Sequence, residues 1–442
     1  MRSRGSKAFR ILTVQLTIEK AVYGGDGLAR LPADEHGKGK SVFVPFVLEG
    51  ERVEAGIAEQ KPGFARAELQ AVLDPSPARV SSQCPYFQRC GGCQYQHSSY
   101  EHQLEMKSAI LRETVQRTAK IELPCDLRVH ASPPWNYRNR TRLKVQTVPE
   151  FALGYYRFRS HEFLPVDQCP ISSPLINRAI REISAWGRTE QHPVEMRELE
   201  LFANAADDAL LVEAYCASGT SRRDARGLAE KLINATPGIT GVAVFEQTTP
   251  HQNSEPRHLA NFGESHIAYQ TSKFSYRVSA GSFFQGNRFL IDELVDIVTA
   301  GATGKVALDL YAGVGLFSVI LARSFAQVIA VEASQTSYSD LRENTPQEVK
   351  AVRATTEQYL QGASERAELV VADPPRGGLG ERNVRNLVKR GAPRVTYVSC
   401  DPSTLARDLR TFVSLGYRIE GADLIDLFPQ TFHIESVFRL VL

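Results

Sequence analysis

KVALDLYAGVGLFS, residues 305–318, is an apolar run that breaks on two glycines and resumes as helix-compatible sequence. A short, unalternating apolar run reads as a strand buried on both faces, the pattern of a parallel sheet. Gly313 and Gly315 allow a tight turn and a close approach of backbone to a ligand. Asp309 stands just before the turn. Glu332 closes the next apolar run, VIAVE, 23 residues later. A carboxylate at that place can accept from both hydroxyls of a ribose. No GK[ST] follows, so this is not a P-loop, and the spacing is not GxGxxG. The two acids around the glycine turn point to an adenosine-type cofactor. The bland alternative is a tight strand–helix connection with no ligand.

From about residue 281 the same alternation continues outward. QVIAVEAS, AELVVADPP and PRVTYVSCDP read as further strands, with helices between them. Ligands of such an open α/β sheet sit beyond the carboxyl ends of its strands. Two chemically able residues fall there. Asp373 precedes Pro374 and Pro375, whose fixed φ holds the following chain rigid. Cys400 ends its strand ahead of the helix TLARDLRTFVSLG, for which Ser403 is a candidate cap. A helix N-terminus favours thiolate, so Cys400 reads as a nucleophile against the alternative of an inert buried thiol. In the strand-like tail FHIESVFRLVL, Glu435 is a general base or a solvated edge residue. Spacing cannot decide, because Cys400 and Glu435 would meet only in space.

A chain of 442 residues, 43% apolar and 23% charged, is long enough for two to four domains. No long apolar segment follows the basic start, which argues against a leader peptide and a membrane span. The expected home is a reducing cytoplasm. Residues 10–75 read as short strands with glycine turns, a small closed barrel. Expected boundaries are 1–76 for the barrel, 77–280 for a central α+β domain and 281–442 for the α/β domain. The helix near 100–120 is a candidate to pack on the last of these.

Net charge is only +2, but basic residues cluster. Arg2, Arg4, Lys7, Arg10 and Lys20 crowd the start. PPWNYRNRTRLKVQTVPEFALGYYRFRS, residues 133–160, interleaves six basic side chains with six aromatics. Guanidinium groups attract phosphates and flat rings stack on unpaired bases. A strand pair with aromatics facing a core would produce the same pattern.

Seven cysteines cannot all pair internally. Cys84, Cys90 and Cys93 lie within ten positions, and Cys169 in VDQCPIS offers a fourth thiol. Four thiolates suit zinc or a [4Fe-4S] cluster, and the residues do not separate the two.

Together QCPYFQRCGGCQYQHSSYEHQLEMK, VDQCPIS, SFFQGN, LDLYAGVGLFS, VADPPRGGL, YVSCDPSTLARDL and FPQTFHIESV resemble the SAM-dependent RNA uracil-5-methyltransferases, specifically the iron–sulfur members. They span nearly the whole chain in the family's order. The resemblance implies a Rossmann-like SAM methyltransferase domain at the C-terminus, an N-terminal OB-like TRAM barrel that binds RNA, and a central domain with an iron–sulfur site. It implies a [4Fe-4S] cluster on Cys84, Cys90, Cys93 and Cys169. It implies S-adenosyl-L-methionine (SAM) at Gln285, Asp309, Tyr311, Gly313, Gly315, Glu332 and Asp373. Cys400 matches the nucleophile, Glu435 the base, and Asp373 the group that orients the uracil. The implied partner is structured RNA, 23S ribosomal RNA ahead of transfer RNA, with no obligate protein partner. Asp401 departs from the family's usual SCNP and puts local loop contacts in doubt.

Uracil C5 is too weak a nucleophile to take a methyl group unaided, so a thiol, a base and a methyl donor are needed together. Rival classes fit less well. An amino-group methyltransferase would leave Cys400 idle. A C5-cytosine enzyme carries its cysteine one strand earlier. A pure RNA-binding protein leaves Glu332, Asp373 and Cys400 without a task.

Overall fold

The computed structural model describes residues 12–32, 39–189, 194–247, 256–362 and 365–442. The basic Arg2, Arg4, Lys7 and Arg10 lie outside them. Contacts divide the chain into two units: Met1–Gln88 with Gly92–Ile110 and Gln430–Phe432, and Arg89–Gly91 with Leu111–Pro429 and His433–Leu442.

The first unit carries a six-stranded sheet. Its hydrogen-bonded order is Leu12–Thr17, Arg52–Gln60, Phe64–Asp74, Ser41–Pro45, Asp26–Arg30 and Lys20–Ala21. Its core follows the period of two: Val42 and Val44, Val53 and Ala55, Ala65 and Ala67 are buried pairs two residues apart. The first and last strands of this order, Leu12–Thr17 and the two-residue Lys20–Ala21, are separated only by Ile18 and Glu19, and the Glu19 N–H donates to Leu28 O at 2.7 Å, so the sheet curls back on its own first strand, in keeping with the expected small barrel. The expected helix at 100–118 is α over Tyr100–Thr114 and widens to a π turn over Val115–Ala119.

The second unit holds two large sheets. The central one runs Phe163–Pro165, Ala152–Tyr156, Arg140–Gln146, Met196–Ala203, Leu210–Cys216, Ile239–Glu246, Arg257–Gly263. Leu210–Cys216 and Ile239–Glu246 are parallel, joined through the helix Arg222–Leu232, which Ser221 caps. The amphipathic helix Pro174–Thr189 buries Leu175, Ile176, Ala179, Ile180 and Ile183.

The other sheet has eight strands, here β1 Leu127–His130, β2 Gly304–Leu310, β3 Phe325–Glu332, β4 Val349–Arg353, β5 Leu369–Ala372, β6 Arg394–Ser399, β7 Arg418–Ile425 and β8 Glu435–Val441. Their order is β4-β3-β2-β5-β6-β8-β7-β1. From β4 to β6 all neighbours are parallel. Val328–Val331 and Leu369–Ala372 are buried throughout, as strands covered on both faces must be. β8 enters antiparallel between β6 and β7. Three helices matter for the site: α1 Ser318–Leu321, α2 Gln335–Asn344 and α3 Pro402–Ser414. α1 is shorter than LFSVILARSF suggests. Among the described residues no helix is long and apolar enough to cross a membrane.

Candidate active site

The turn after β2 is built from left-handed backbone. Tyr311, Gly313 and Gly315 have φ of 61°, 56° and 94°. A side chain at Gly315 would meet Leu341 Cδ1 at 3.0 Å, whereas one at Gly313 would meet nothing within 4 Å. Gly313 therefore faces open space, and the cost of its conformation is what only glycine avoids. Glu332, at the end of β3, accepts the Gly313 N–H at 2.9 Å and the Ser334 N–H at 2.7 Å. Two backbone donors thus aim its carboxylate into the same space. Asp309 is fully buried and accepts from Ser318 Oγ at 2.5 Å, while its Oδ1 has no hydrogen-bond partner. Burial, with the charges of Asp373 and Glu332 adding to it, pushes this carboxyl up to about 7.

Tyr311, Gly313 and Glu332 open onto a cavity of about 660 Å³, while Asp309 and Gly315 stay behind its wall. Gln285, Tyr311, Gly313, Glu332, Asp373, Cys400 and Glu435 all line it. Gln285 Nε2 lies 3.5 Å from Asp373 Oδ2. The fold brings Cys400 and Glu435 together through strand register. Ser399 pairs with Ser436 across β6 and β8. Cys400 follows the last residue of β6 and Glu435 precedes Ser436 on β8, so the two come next to each other just past the last ladder pair. The electrostatics agree, because Glu435 is one cause of the upward shift of the Cys400 thiol.

That shift corrects the expectation of a thiolate in the ligand-free protein. Burial first, then Glu435 and Asp373, push the thiol up to about 12, and Arg376 opposes them. The helix end that was to lower it is already used. Asp401, not Ser403, caps α3: its carboxylate accepts the Ser403 and Thr404 N–H groups at 2.9 and 3.0 Å. A carboxylate there offsets the positive end of the helix. Burial likewise raises Asp373 to about 7 and Glu435 well above the usual carboxylate range, each held toward its protonated form.

The cavity is also lined by residues that the sequence reading did not assign. Arg138, Phe283 and Phe428 are among them, together with Arg376 and His433. Phe283 is 66% exposed, an unusual state for phenylalanine and one that no periodicity signals. Much of the basic stretch turns the other way. Arg142 pairs with Glu200 at 2.6 Å, Lys144 with Glu198, and Arg140 with Glu200 and Glu213. Tyr137 and Phe151 are buried. Arg140 is buried by this pairing, whereas Arg142 and Lys144 keep 45% and 30% of their side chains exposed while Glu198 and Glu200 stand beside them on the adjacent strand.

Of the four cysteines, Cys84 and Cys93 belong to the first unit and Cys90 and Cys169 to the second. The last two both act on one phenol, raising Tyr155 after burial has done so. Among the described residues no group of three or more His, Cys, Asp or Glu side chains is arranged to hold a metal ion.

Residues 99–441 match the family described as tRNA (Uracil-5-)-methyltransferase, and residues 7–70 match the TRAM domain. The chain is 33% identical over 434 residues to an "Uncharacterized RNA methyltransferase" of Aquifex aeolicus, covering 97% of this chain and 98% of that one. It is 32% identical over 459 residues to the 23S rRNA (uracil(1939)-C(5))-methyltransferase RlmD of Halomonas elongata, covering 99% and 91%. Its fold is similar to that of the Pyrococcus abyssi tRNA (uracil-54, C5)-methyltransferase in complex with S-adenosyl-L-homocysteine. The TM-score is 0.74 at 23% identity, over 97% of this chain and 100% of that one.

Proposed function

The chain belongs to the tRNA (uracil-5-)-methyltransferase family and carries a TRAM domain, and on that premise we propose how its cavity does the chemistry. It is a SAM-dependent RNA uracil-5-methyltransferase acting on structured RNA. The observation that carries the mechanism is the single cavity shared by the glycine turn, Cys400 and Glu435.

Bound SAM supplies an electrophilic methyl group. Glu332 is placed for the ribose hydroxyls, and the open face of Gly313 leaves room for the ligand. The target uridine must leave its stack to reach a site this enclosed. The Cys400 thiol gives up its proton to water as its sulfur bonds to C6, and the C5–C6 electron pair moves onto the C5–C4–O4 system. The electron pair at C5 then takes the methyl group, whose bond to the sulfonium sulfur breaks to leave a neutral thioether. Glu435 in its ionised form takes the C5 proton, its raised affinity for protons making it a stronger base; the C5–H pair re-forms the double bond as the C6–S bond breaks, and Cys400 leaves as thiolate. Asp373 and Gln285 hold the reacting groups in register at the edge of β5.

Of the two RNA classes, the family description supports transfer RNA, the alternative to the 23S target expected from sequence. The Halomonas elongata relative favours 23S ribosomal RNA as a second reading. Mapping 5-methyluridines in both RNAs from a deletion strain separates them. The chemistry is tested with E435Q, SAM labelled in its methyl group and target RNA. The expected product is a denaturation-resistant protein–RNA band that carries the label. C400A should give no adduct and no labelled RNA. Normal turnover by E435Q would remove Glu435 as the base, and His433 would take its place as candidate.

The [4Fe-4S] assignment of Cys84, Cys90, Cys93 and Cys169 rests on the sequence and on the thiol chemistry of that donor set. The joint action of Cys90 and Cys169 on Tyr155 is in keeping with it. No step above passes through the cluster, whose part would be structural.

A further inference from the structure

Phe283 and Gln285 reach the cavity on a loop that is held from both sides. On one side is helix α2. Asp340 accepts the Ser279 N–H at 2.8 Å, Ser279 Oγ at 2.6 Å and Ser282 Oγ at 2.6 Å. On the other side is the central sheet. Arg140 Nη1 donates to Ser282 O at 2.5 Å, and Glu213 Oε1 accepts the Gly281 N–H at 2.9 Å. These two bonds fall on the two residues immediately before Phe283.

The central-sheet side is costly to build. Glu200 and Glu213 face each other across neighbouring strands, an arrangement that repels. Arg140 lies between them, 13% exposed against 10% and 2% for the two carboxylates. Tyr215 Oη donates to the second oxygen of Glu213 at 2.6 Å. A buried ion network of this kind adds little stability over a well-packed apolar layer of the same volume. What an apolar layer cannot do is bond a backbone N–H and a carbonyl of a neighbouring loop.

We propose that Arg140 and Glu213 are positioning residues that fix the loop Gly281–Gln285, so that Phe283 and Gln285 stand ready in the cavity before substrate arrives. The proposal rests on reading that cavity as the methyl-transfer site. Phe284 serves as the loop's apolar anchor, 3% exposed and packed on Tyr269 at a ring separation of 4.6 Å. Its neighbour Phe283 is left outside, free of any core task. The ring and the Asp340 bonds hold the loop by side chains and at Ser279, but they leave the Gly281 N–H and the Ser282 carbonyl to be fixed from the central sheet. The paired bonds at Gly281 and Ser282 do so.

The experiment uses the full chain and two readouts. The first is steady-state methylation of target RNA by E213L, E213Q and E213D. E213L keeps the volume and loses the acceptor. E213Q keeps an amide oxygen for the Gly281 N–H. E213D draws the acceptor back by one methylene and serves if E213L does not fold. Expected is a fall in kcat of about tenfold or more for E213L and E213D, with KM for SAM within about twofold, and recovery by E213Q. The second readout is the anisotropy decay of a tryptophan placed by F283W, taken as the difference from the parent with Trp135 and Trp186. It should gain a fast component in E213L and E213D but not in E213Q. Full kcat in a folded E213L overturns the proposal. So does a lost kcat with the tryptophan still rigid. Failure of the methyl-transfer reading is seen separately, as an inactive parent enzyme, and leaves the anisotropy result standing.

Discussion

Cys400 should be a slow thiol in the ligand-free protein. The perturbation is alkylation by iodoacetamide, followed by mass spectrometry of the Cys400 peptide. A thiol pushed up to about 12 is about 3 parts in 100,000 thiolate near pH 7.5, against roughly a tenth for an ordinary cysteine of about 8.5. That is a deficit of about 3,000-fold. A more basic thiolate is more nucleophilic, and a Brønsted slope of about 0.4–0.5 returns roughly 30-fold over those 3.5 units. The net expectation is alkylation about 100-fold slower than a free thiol, with a rate that rises about tenfold per pH unit and does not level off by pH 10. Since Arg376 is the cation that opposes the shift, R376M should slow the reaction further, and E435Q should speed it. A rate that levels near pH 8 would refute the reasoning. The thiolate would then be preformed, and burial beside two carboxyls would not govern it.

Three further outcomes follow from named contacts. Asp309 holds its proton up to about 7 in the folded chain and releases it near 4 when unfolded. Between those values the unfolded state binds fewer protons, so ligand-free stability should fall as pH rises from about 4 to 7 and then level off. Denaturation midpoints across that range should show the fall in wild type and a flatter profile in D309N. D401A removes the cap of α3 and should cost about 1 kcal/mol, a loss of a few degrees in Tm, while speeding Cys400 alkylation because the two freed N–H groups favour thiolate. Anaerobically purified protein should contain about four irons per chain, and C169A should lose them together with much of the folded protein. Stoichiometric zinc with no iron would overturn the cluster.

What could be read from the sequence was local. The glycine turn, Glu332, Asp373 and Cys400 are each announced by an apolar run that stops, because a covered parallel strand shows its ends in composition. Glu435 was visible as a residue but not as a neighbour of Cys400. Their meeting depends on a strand that enters the sheet antiparallel, and no short-range pattern encodes direction. The basic stretch misled for a related reason. Arg140, Arg142 and Lys144 look like a phosphate-binding face until Glu198, Glu200 and Glu213, some 50 to 70 residues later, are placed beside them. The cap of α3 failed differently. Asp401 and Ser403 are both good caps, and Pro402 at the first helical turn decides for the residue before it.

The inverted strand β8 has a consequence for how this chain tolerates insertions and deletions. Between Ile425 and Glu435 the connection is itself tied down: the Leu427 and Pro429 carbonyls accept from Asn287 and Tyr137, and Phe428 and His433 line the cavity, so a residue gained or lost there is felt at the cavity wall. Within Glu435–Val441 nothing can be absorbed. The ladder to Arg394–Ser399 counts in steps of one residue, and a slip of one step turns every side chain to the opposite face. Such a slip would carry Glu435 away from Cys400 while leaving an eight-stranded sheet of the same order. A single-residue indel here should therefore cost both the packing of Val437, Phe438 and Leu440 and the residue opposite the nucleophile. Moving it by two would restore the face and lengthen the gap by about 7 Å.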